Sequence, residues 1–208
     1  MRRATAAIAL VALSLILAVP ARAGGGPPAA VVNGVAIPKD RVEAGVNEYL
    51  NRRGTGFQFM TNPEQYKEVR RKVLDVLIDR ELLWQEARAK TLTASDAEVD
   101  REIARIRESF PSSESFNTEL MIGGFTEAAY AEHVRRELSI RWLVREEIAG
   151  GVTVSDGEVD AFFRARPDRK GRPEEARAYL HAEKVRQAVE KRVERLRAAG
   201  EIEIMELR

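Results

Sequence analysis

Residues 65–90, QYKEVRRKVLDVLIDRELLWQEARAK, run without a glycine or proline and carry apolar residues on two sides of a helical wheel. At 100° per residue, Val69, Val73, Val76, Leu77, Leu83, Trp84 and Ala87 fall on one face, and Leu74, Ile78 and Leu82 on the opposite one. A helix at the surface of a globular protein needs one such face, so two faces require packing partners on both sides. A strip of Glu68, Lys72, Asp75, Asp79, Glu86 and Lys90 is left for water. The stretch therefore reads as a central helix shared by the first, fourth and last helices of the chain. Arg80 falls on the main apolar face, where its charge has to reach water or an acid, and a structural salt bridge is expected there. Trp84 and Trp142 are assigned structural roles in the same core.

The N-terminus differs in kind. Arg2 and Arg3 precede an apolar run from Ala4 to Val19, followed by Pro20 and Ala21-Arg22-Ala23, which supplies the basic, apolar and small-residue parts of a secretory signal. Cleavage after Ala23 is expected, followed by a Gly/Pro linker over 24–29. The run is shorter than the roughly 20 apolar residues of a spanning helix, which argues against an uncleaved anchor. Loss of residues 1–23 removes three arginines and no acid, leaving 31 basic residues against 33 acidic ones. Such a balance, with the charges interspersed at helical spacing, offers no basic field for nucleic acid. The chain has no cysteine, which excludes disulfides, thiol catalysis and cysteine zinc sites and suits an oxidising compartment.

Taken in order, residues 30–208 read as one mainly α domain. Val31-Val32 and Val35-Ala36-Ile37 flank Asn33-Gly34, the dipeptide suited to a type I′ turn, so a hairpin is expected. A first helix follows Pro38, with Val42, Val46, Tyr49 and Leu50 inward. The loop to Asn62 carries Phe57, Phe59 and Met60, more apolar material than a short connection needs. Ser95-Asp96-Ala97-Glu98 is a capping box and starts a third helix, with Ile103, Ile106 and Phe110 inward. A short helix over 112–122 turns Phe116, Leu120 and Met121 inward and closes on a left-handed Gly123. A fourth long helix runs from Thr126 to about Ile148. Ser155-Asp156-Gly157-Glu158-Val159 repeats the earlier cap, but the flanks do not match, so the two read as independent helix starts. After a charged loop over 164–172, a last helix runs from Pro173 to Ala199 with Tyr179, Ala182, Val185, Val189, Val193 and Leu196 on one stripe. The alternating Glu201-Ile202-Glu203-Ile204 reads as a strand whose one available partner is the N-terminal hairpin.

Several of these segments together resemble the SurA-like and related parvulin-type periplasmic foldases. They are Val32-Asn33-Gly34-Val35-Ala36-Ile37, Leu77-Ile78-Asp79-Arg80-Glu81-Leu82-Leu83 with Gln85-Glu86-Ala87, Val152-Thr153-Val154-Ser155-Asp156-Gly157-Glu158-Val159, and Glu201-Ile202-Glu203-Ile204. The resemblance implies a helical chaperone module with a small sheet made by the N-terminal hairpin and the C-terminal strand. It divides the domain into an N-terminal part (30–163), the short loop 164–172 where the family carries its parvulin domain, and a C-terminal helix and strand (173–207). The parvulin hallmarks, an Arg-His-Ile-Leu entry strand and a Gly-Gly-x-Leu-Gly segment, are not found in the sequence. The implied protein is a periplasmic, ATP-independent chaperone that binds unfolded or outer-membrane polypeptides through an apolar groove and is not an enzyme. A parvulin-class peptidyl-prolyl isomerase and a dedicated envelope assembly subunit are the alternatives. Either a monomer or a homodimer that exchanges its terminal elements fits this topology.

Motifs for chemistry are sparse. No G-x-S-x-G elbow, H-E-x-x-H zinc motif or phosphate-binding glycine loop occurs. His133 and Glu137 lie one turn apart, but two ligands beside Arg135 and Arg136 do not make a metal site, and His133 reads as solvent-facing. Neither a cofactor nor a metal is expected. Loose binding of unfolded chains asks instead for an apolar surface rimmed by charge. The candidates are Phe57, Phe59 and Met60 in the first loop and Phe116, Leu120, Met121, Ile122 and Phe125 around the short helix. Met and Phe pack adaptably against many sequences.

Overall fold

The computed structural model describes residues 28–53, 62–166 and 171–205. Residues 1–23, expected from the sequence to be a secretory signal, and the loop residues Phe57, Phe59 and Met60 lie outside them. Strand β1 (Pro28–Val32) turns into β2 (Val35–Pro38), and helices α1 (Lys39–Arg53) and α2 (Pro63–Ala89) follow. Next come α3 (Asp96–Glu108), α4 (Ser113–Ile122), α5 (Glu127–Leu143), α6 (Asp156–Arg164), α7 (Pro173–Ala199) and β3 (Ile202–Ile204). The architecture is mainly α with a small antiparallel sheet ordered β2-β1-β3.

The sheet joins the two ends of the chain. Asn33 and Gly34 both adopt positive φ, 49° and 80°, as a type I′ turn requires. On the far side of β1, Val32 pairs with Ile202, Val31 with Glu203 and Ala30 with Ile204. Strand β1 begins at Pro28, so the last two residues assigned to the linker belong to the sheet, and Ala29 is fully buried. An alanine flanked by apolar strand residues packs readily; only the glycines before it read as a spacer.

Helix α2 is the centre. It packs against α1, α5, α7 and β1. Leu74, Ile78 and Leu82 join Val42, Val46, Leu50 and the sheet residues Ala30, Val32 and Ile37 in the largest cluster, while Leu83 and Ala87 meet Leu143 and Val193 in a second. Two details correct the helical-wheel reading. Val76 is 53% exposed, so that position of the first face has no partner. The strip left for water is instead the seat of α7: Arg197 donates to Asp79 at 2.5 Å and to the backbone carbonyl of Asp75 at 3.0 Å, and Arg192 pairs with Glu86 at 3.3 Å. The last helix thus docks on the centre through arginines as well as through Val189, Val193 and Leu196. Farther toward its start, its stripe opens, and Tyr179 and Ala182 are exposed.

A polar chain ties sheet to helices. The Asn33 amide donates to Gln85 at 2.7 Å, and its oxygen accepts the Glu201 backbone N–H at 2.7 Å. Gln85 donates to the Val32 carbonyl at 3.2 Å and to Glu81 at 2.9 Å. Glu81 is buried and accepts from Arg136 of α5 at 2.8 Å, whose guanidinium lies over the buried Trp84 ring at 5.4 Å. Arg80 does form a salt bridge, with Glu137 at 2.9 Å, but its side chain is half exposed, and its neighbour Glu81 is the charge that the core takes in. Trp142 packs against the cluster of Ala94, Val99, Val134 and Leu138.

The two S-D-x-E-V segments share more than a cap. Ser95 and Ser155 each donate their backbone N–H to the glutamate three residues on, both at 2.9 Å. Arg135 of α5 donates to the Ala94 carbonyl and pairs with Asp96; Arg177 of α7 donates to the Val154 carbonyl at 2.6 Å and pairs with Asp156 at 2.5 Å. Val99 shares a cluster with Val134 and Leu138, at positions −1 and +3 from Arg135, and Val159 with Ala176 and Leu180, at the same offsets from Arg177. The reading of two unrelated helix starts is therefore corrected: the same helix pair is built twice. The flanking sequences do not match because the arginine lies on a separate helix, about 40 residues downstream in the first copy and about 20 in the second.

Candidate functional site: an aromatic groove between α3, α4 and α5

The region after α3 is folded by its serines and aromatics. Ser112 caps α4, accepting the Ser115 N–H at 3.1 Å, which turns Phe116 and Leu120 toward α3 and α5. The helix closes with Gly123 in right-handed conformation, and the left-handed residue is Gly124, φ 71°. Phe125 then donates its N–H back to the Leu120 carbonyl at 2.9 Å, and Thr126 caps α5 through the Ala129 N–H.

Between these helices lies a cleft of about 320 Å³ lined by Ile103, Phe116, Leu120, Tyr130 and Ala131, with Asp100, Arg107 and Glu127 among its charged residues. That volume is at the lower end for a ligand pocket and suits a few side chains of a polypeptide. Its floor is aromatic. Phe116 meets Phe110 at 5.4 Å and Tyr130 at 5.7 Å, both edge to face, and Arg107 stacks over it at 5.0 Å. The row continues from Tyr130 to Phe125 at 5.7 Å and from Phe125 to His133 at 5.4 Å. Burial, with Glu102 adding, raises the Tyr130 hydroxyl above its ordinary pKa, so it is a neutral donor at neutral pH.

The sequence-assigned binding residues divide. Phe116 and Leu120 are buried in the floor. Phe125 extends the aromatic row. Met121, expected to face inward, is 73% exposed, as is Ile122, and both lie outside the groove lining, on the outer side of α4. Leu120, Met121 and Ile122 are consecutive, about 100° apart around the helix, and cannot all face the same neighbour; Phe116 and Leu120, four apart, take the inner position. His133 is not solvent-facing. It is half-buried against Phe125 and Tyr130, its Nδ1 is shielded from water without a hydrogen bond, and burial lowers its pKa. Tyr130 and Arg107, which shape the groove, were not singled out from sequence; only their spacing toward Phe116 in the folded chain reveals them. Among the described residues no group of three His, Asp or Glu side chains is arranged to hold a metal ion.

The sequence profile of the SurA-like N-terminal domain matches residues 1–144, which include α1 to α5 and the whole groove. The chain belongs to the SurA-like N-terminal domain family. It is 31% identical to chaperone SurA of Chromobacterium violaceum over 137 residues, 65% of this chain and 31% of that protein. To chaperone SurA of Chromohalobacter salexigens it is 30% identical over 135 residues, 64% of this chain and 30% of that protein. To that of Nitrosospira multiformis it is 30% identical over 108 residues, 51% and 24%. This SurA-like chain thus spans less than a third of the length of these relatives. Helices α6 and α7 and strand β3 lie beyond the profile match. Among the described residues no helix is long and apolar enough to cross a membrane.

Proposed function

We propose that this SurA-like chain is an exported chaperone that works in the periplasm without ATP, metal or catalysis, holding unfolded outer-membrane polypeptides against the α3–α4–α5 groove. The observation that carries the reading is the groove itself: aromatic floor, charged rim, and Met121 and Ile122 exposed on the helix that forms one wall. Such a surface gives a client apolar contacts of many geometries and no fixed hydrogen-bond pattern, which is what loose, sequence-tolerant binding needs. The family relatives named chaperone SurA, and the signal-like residues 1–23, agree with it.

The test is suppression of aggregation of an unfolded outer-membrane protein diluted from denaturant. The folded protein should suppress it at near-stoichiometric ratio. Met121→Ser with Ile122→Ser, on an exposed helix face, should weaken suppression several-fold without lowering stability. No suppression by the folded wild-type protein overturns the reading, and turnover in a proline-isomerisation assay would replace it with an enzymatic one.

A further inference from the structure

The two edges of the sheet are built differently. Strand β2 ends at Pro38, which has no N–H to offer, and runs straight into α1, which packs against it. On the other side β3 is the outermost strand. Asn33 donates its N–H to the Glu201 carbonyl at 2.8 Å and Met205 donates to the Ala29 carbonyl at 2.9 Å, with Val31 opposite Glu203 between them. The alternation of an antiparallel ladder then turns the N–H and C=O of Ile202 and of Ile204 away from β1, so four backbone groups point outward along the edge.

The side chains of β3 sort by face. Two apolar rows cross the sheet, one through Ile37, Ala30 and Ile204 and one through Val35, Val32 and Ile202. Ala30, Val32 and Ile37 are buried, whereas Ile204, at the open end of its row, is 59% exposed. On the opposite face Glu203 continues the row of Ala36 and Val31, and Glu201 stands two residues before it; both glutamates are exposed. A strand laid along β3 would therefore meet an apolar row on one face and carboxylates on the other. Its residue opposite Glu203 would form a non-hydrogen-bonded pair, the closer of the two kinds, with Cα atoms about 4.5 Å apart. A cation is favoured at that position and an anion opposed. A second copy of this chain is a poor occupant on the same ground. The antiparallel register that engages all four groups of both copies, Ile202 opposite Ile204, sets Glu203 against Glu203.

We propose that the free edge of β3 is a strand-addition site for an extended polypeptide segment in which apolar residues alternate with lysine or arginine. The outward backbone groups of Ile202 and Ile204 hold the segment's main chain, the row that ends at Ile204 receives its apolar side chains, and Glu201 and Glu203 select the basic ones. The site shares no residue with the α3–α4–α5 groove, so it goes beyond the reading above and does not depend on it.

The experiment titrates the isotope-labelled full chain with the capped peptide Lys-Val-Lys-Val-Lys-Val-Lys and follows backbone NMR shifts and amide hydrogen exchange. In the free chain the amides of Glu203 and Met205 should exchange slowly and those of Ile202 and Ile204 fast. The peptide should slow exchange at Ile202 and Ile204. The matching Glu-Val peptide should bind roughly fivefold more weakly, the scale of one cross-strand charge pair turned from attraction to repulsion. Glu203→Lys, at an exposed position, should erase or reverse that preference. A peptide of the same composition with its lysines and valines in separate blocks should not protect the two amides. Peptide binding that leaves Ile202 and Ile204 unprotected overturns the site, as do shifts confined to groove residues such as Met121 and Ile122. Equal protection by the block peptide reduces the effect to charge attraction alone and overturns strand addition. Protection that grows with protein concentration before any peptide is added gives the edge to a second copy and overturns the proposal too. Aggregation suppression by the wild-type protein is a separate measurement, so each of these failures is distinguishable from failure of the chaperone reading.

Discussion

Ile78→Ala should be among the most damaging single truncations in this chain. Ile78 is 0% exposed and sits on α2 between Leu74 and Leu82, in the cluster that also contains Val42 and Val46 of α1 and Val32 of the sheet. Three elements meet in that cluster, so none can move in to fill the space without leaving another. Truncation of a buried Ile to Ala costs about 2–5 kcal/mol, the upper part applying where the site cannot collapse, and about 3–4 kcal/mol is expected here. Ile78→Val should cost about 0.5–1.5 kcal/mol. Val76→Ala, two residues away on the same helix but 53% exposed, should change stability by no more than about 0.5 kcal/mol. Urea titration read by the fluorescence of the two tryptophans, Trp84 and Trp142, and by far-UV circular dichroism measures all three. With an m-value of about 2 kcal/mol/M, Ile78→Ala should lower the midpoint by about 1.5–2 M. If Ile78→Ala and Val76→Ala shift the midpoint equally, α2 is not packed on both sides and the central-helix argument fails.

Other expectations follow from single contacts. Gly34→Ala puts a Cβ on a residue at φ 80° and should cost about 1 kcal/mol or more by urea titration, although the space around it is open. Glu81→Leu leaves Arg136 without its buried partner but still beside Glu132; it should cost about 1–3 kcal/mol, and adding Arg136→Leu should recover part of that in a double-mutant cycle. Glu158 has its pKa lowered from 4.5 to about 2, first by Lys184 and then by the Ser155 N–H and hydroxyl. A carboxylate depressed on folding contributes stability above its unfolded pKa and loses it as pH falls through the folded one. Hydrogen exchange in α6 should therefore loosen between about pH 4.5 and about pH 2, and less so in Glu158→Gln; equal loosening in both would refute the assignment.

Features governed by neighbours in sequence were legible before the structure. The Asn33-Gly34 turn, both capping boxes, the Pro173 start of α7 and the alternation of β3 each rest on interactions within a few residues. The pairing of β3 with β1 was legible too, because the alternating tail had one possible mate. Contacts that bridge distant segments were not. Arg197 meets Asp79 across 118 residues, and nothing local distinguishes that aspartate from one facing water. The repeated arginine clamp was hidden for the same reason. Adjacent Gly123 and Gly124 present identical local chemistry, and only the return of Phe125 to the Leu120 carbonyl decides which one turns left-handed. At the site, the residue types were right while the sidedness of Met121 was not, because a ten-residue helix with apolar residues at 116, 120, 121 and 122 does not declare which pair its neighbours choose.

The distribution of buried contacts gives the proposed sites a physical logic. The largest cluster binds sheet, α1 and α2 from Val69 to Leu82, and the polar chain through Asn33, Gln85, Glu81 and Arg136 fastens the C-terminal strand and α5 to it. The groove belongs to smaller groups on the far side of α5, and the α6–α7 pair to another still, with Val159, Phe162 and Ala176 as its buried residues. Elements held by few buried contacts open at lower cost than the body they hang from. A surface that must adapt to many unfolded segments is best made from such elements, because the groove can widen around α4 without disturbing α2.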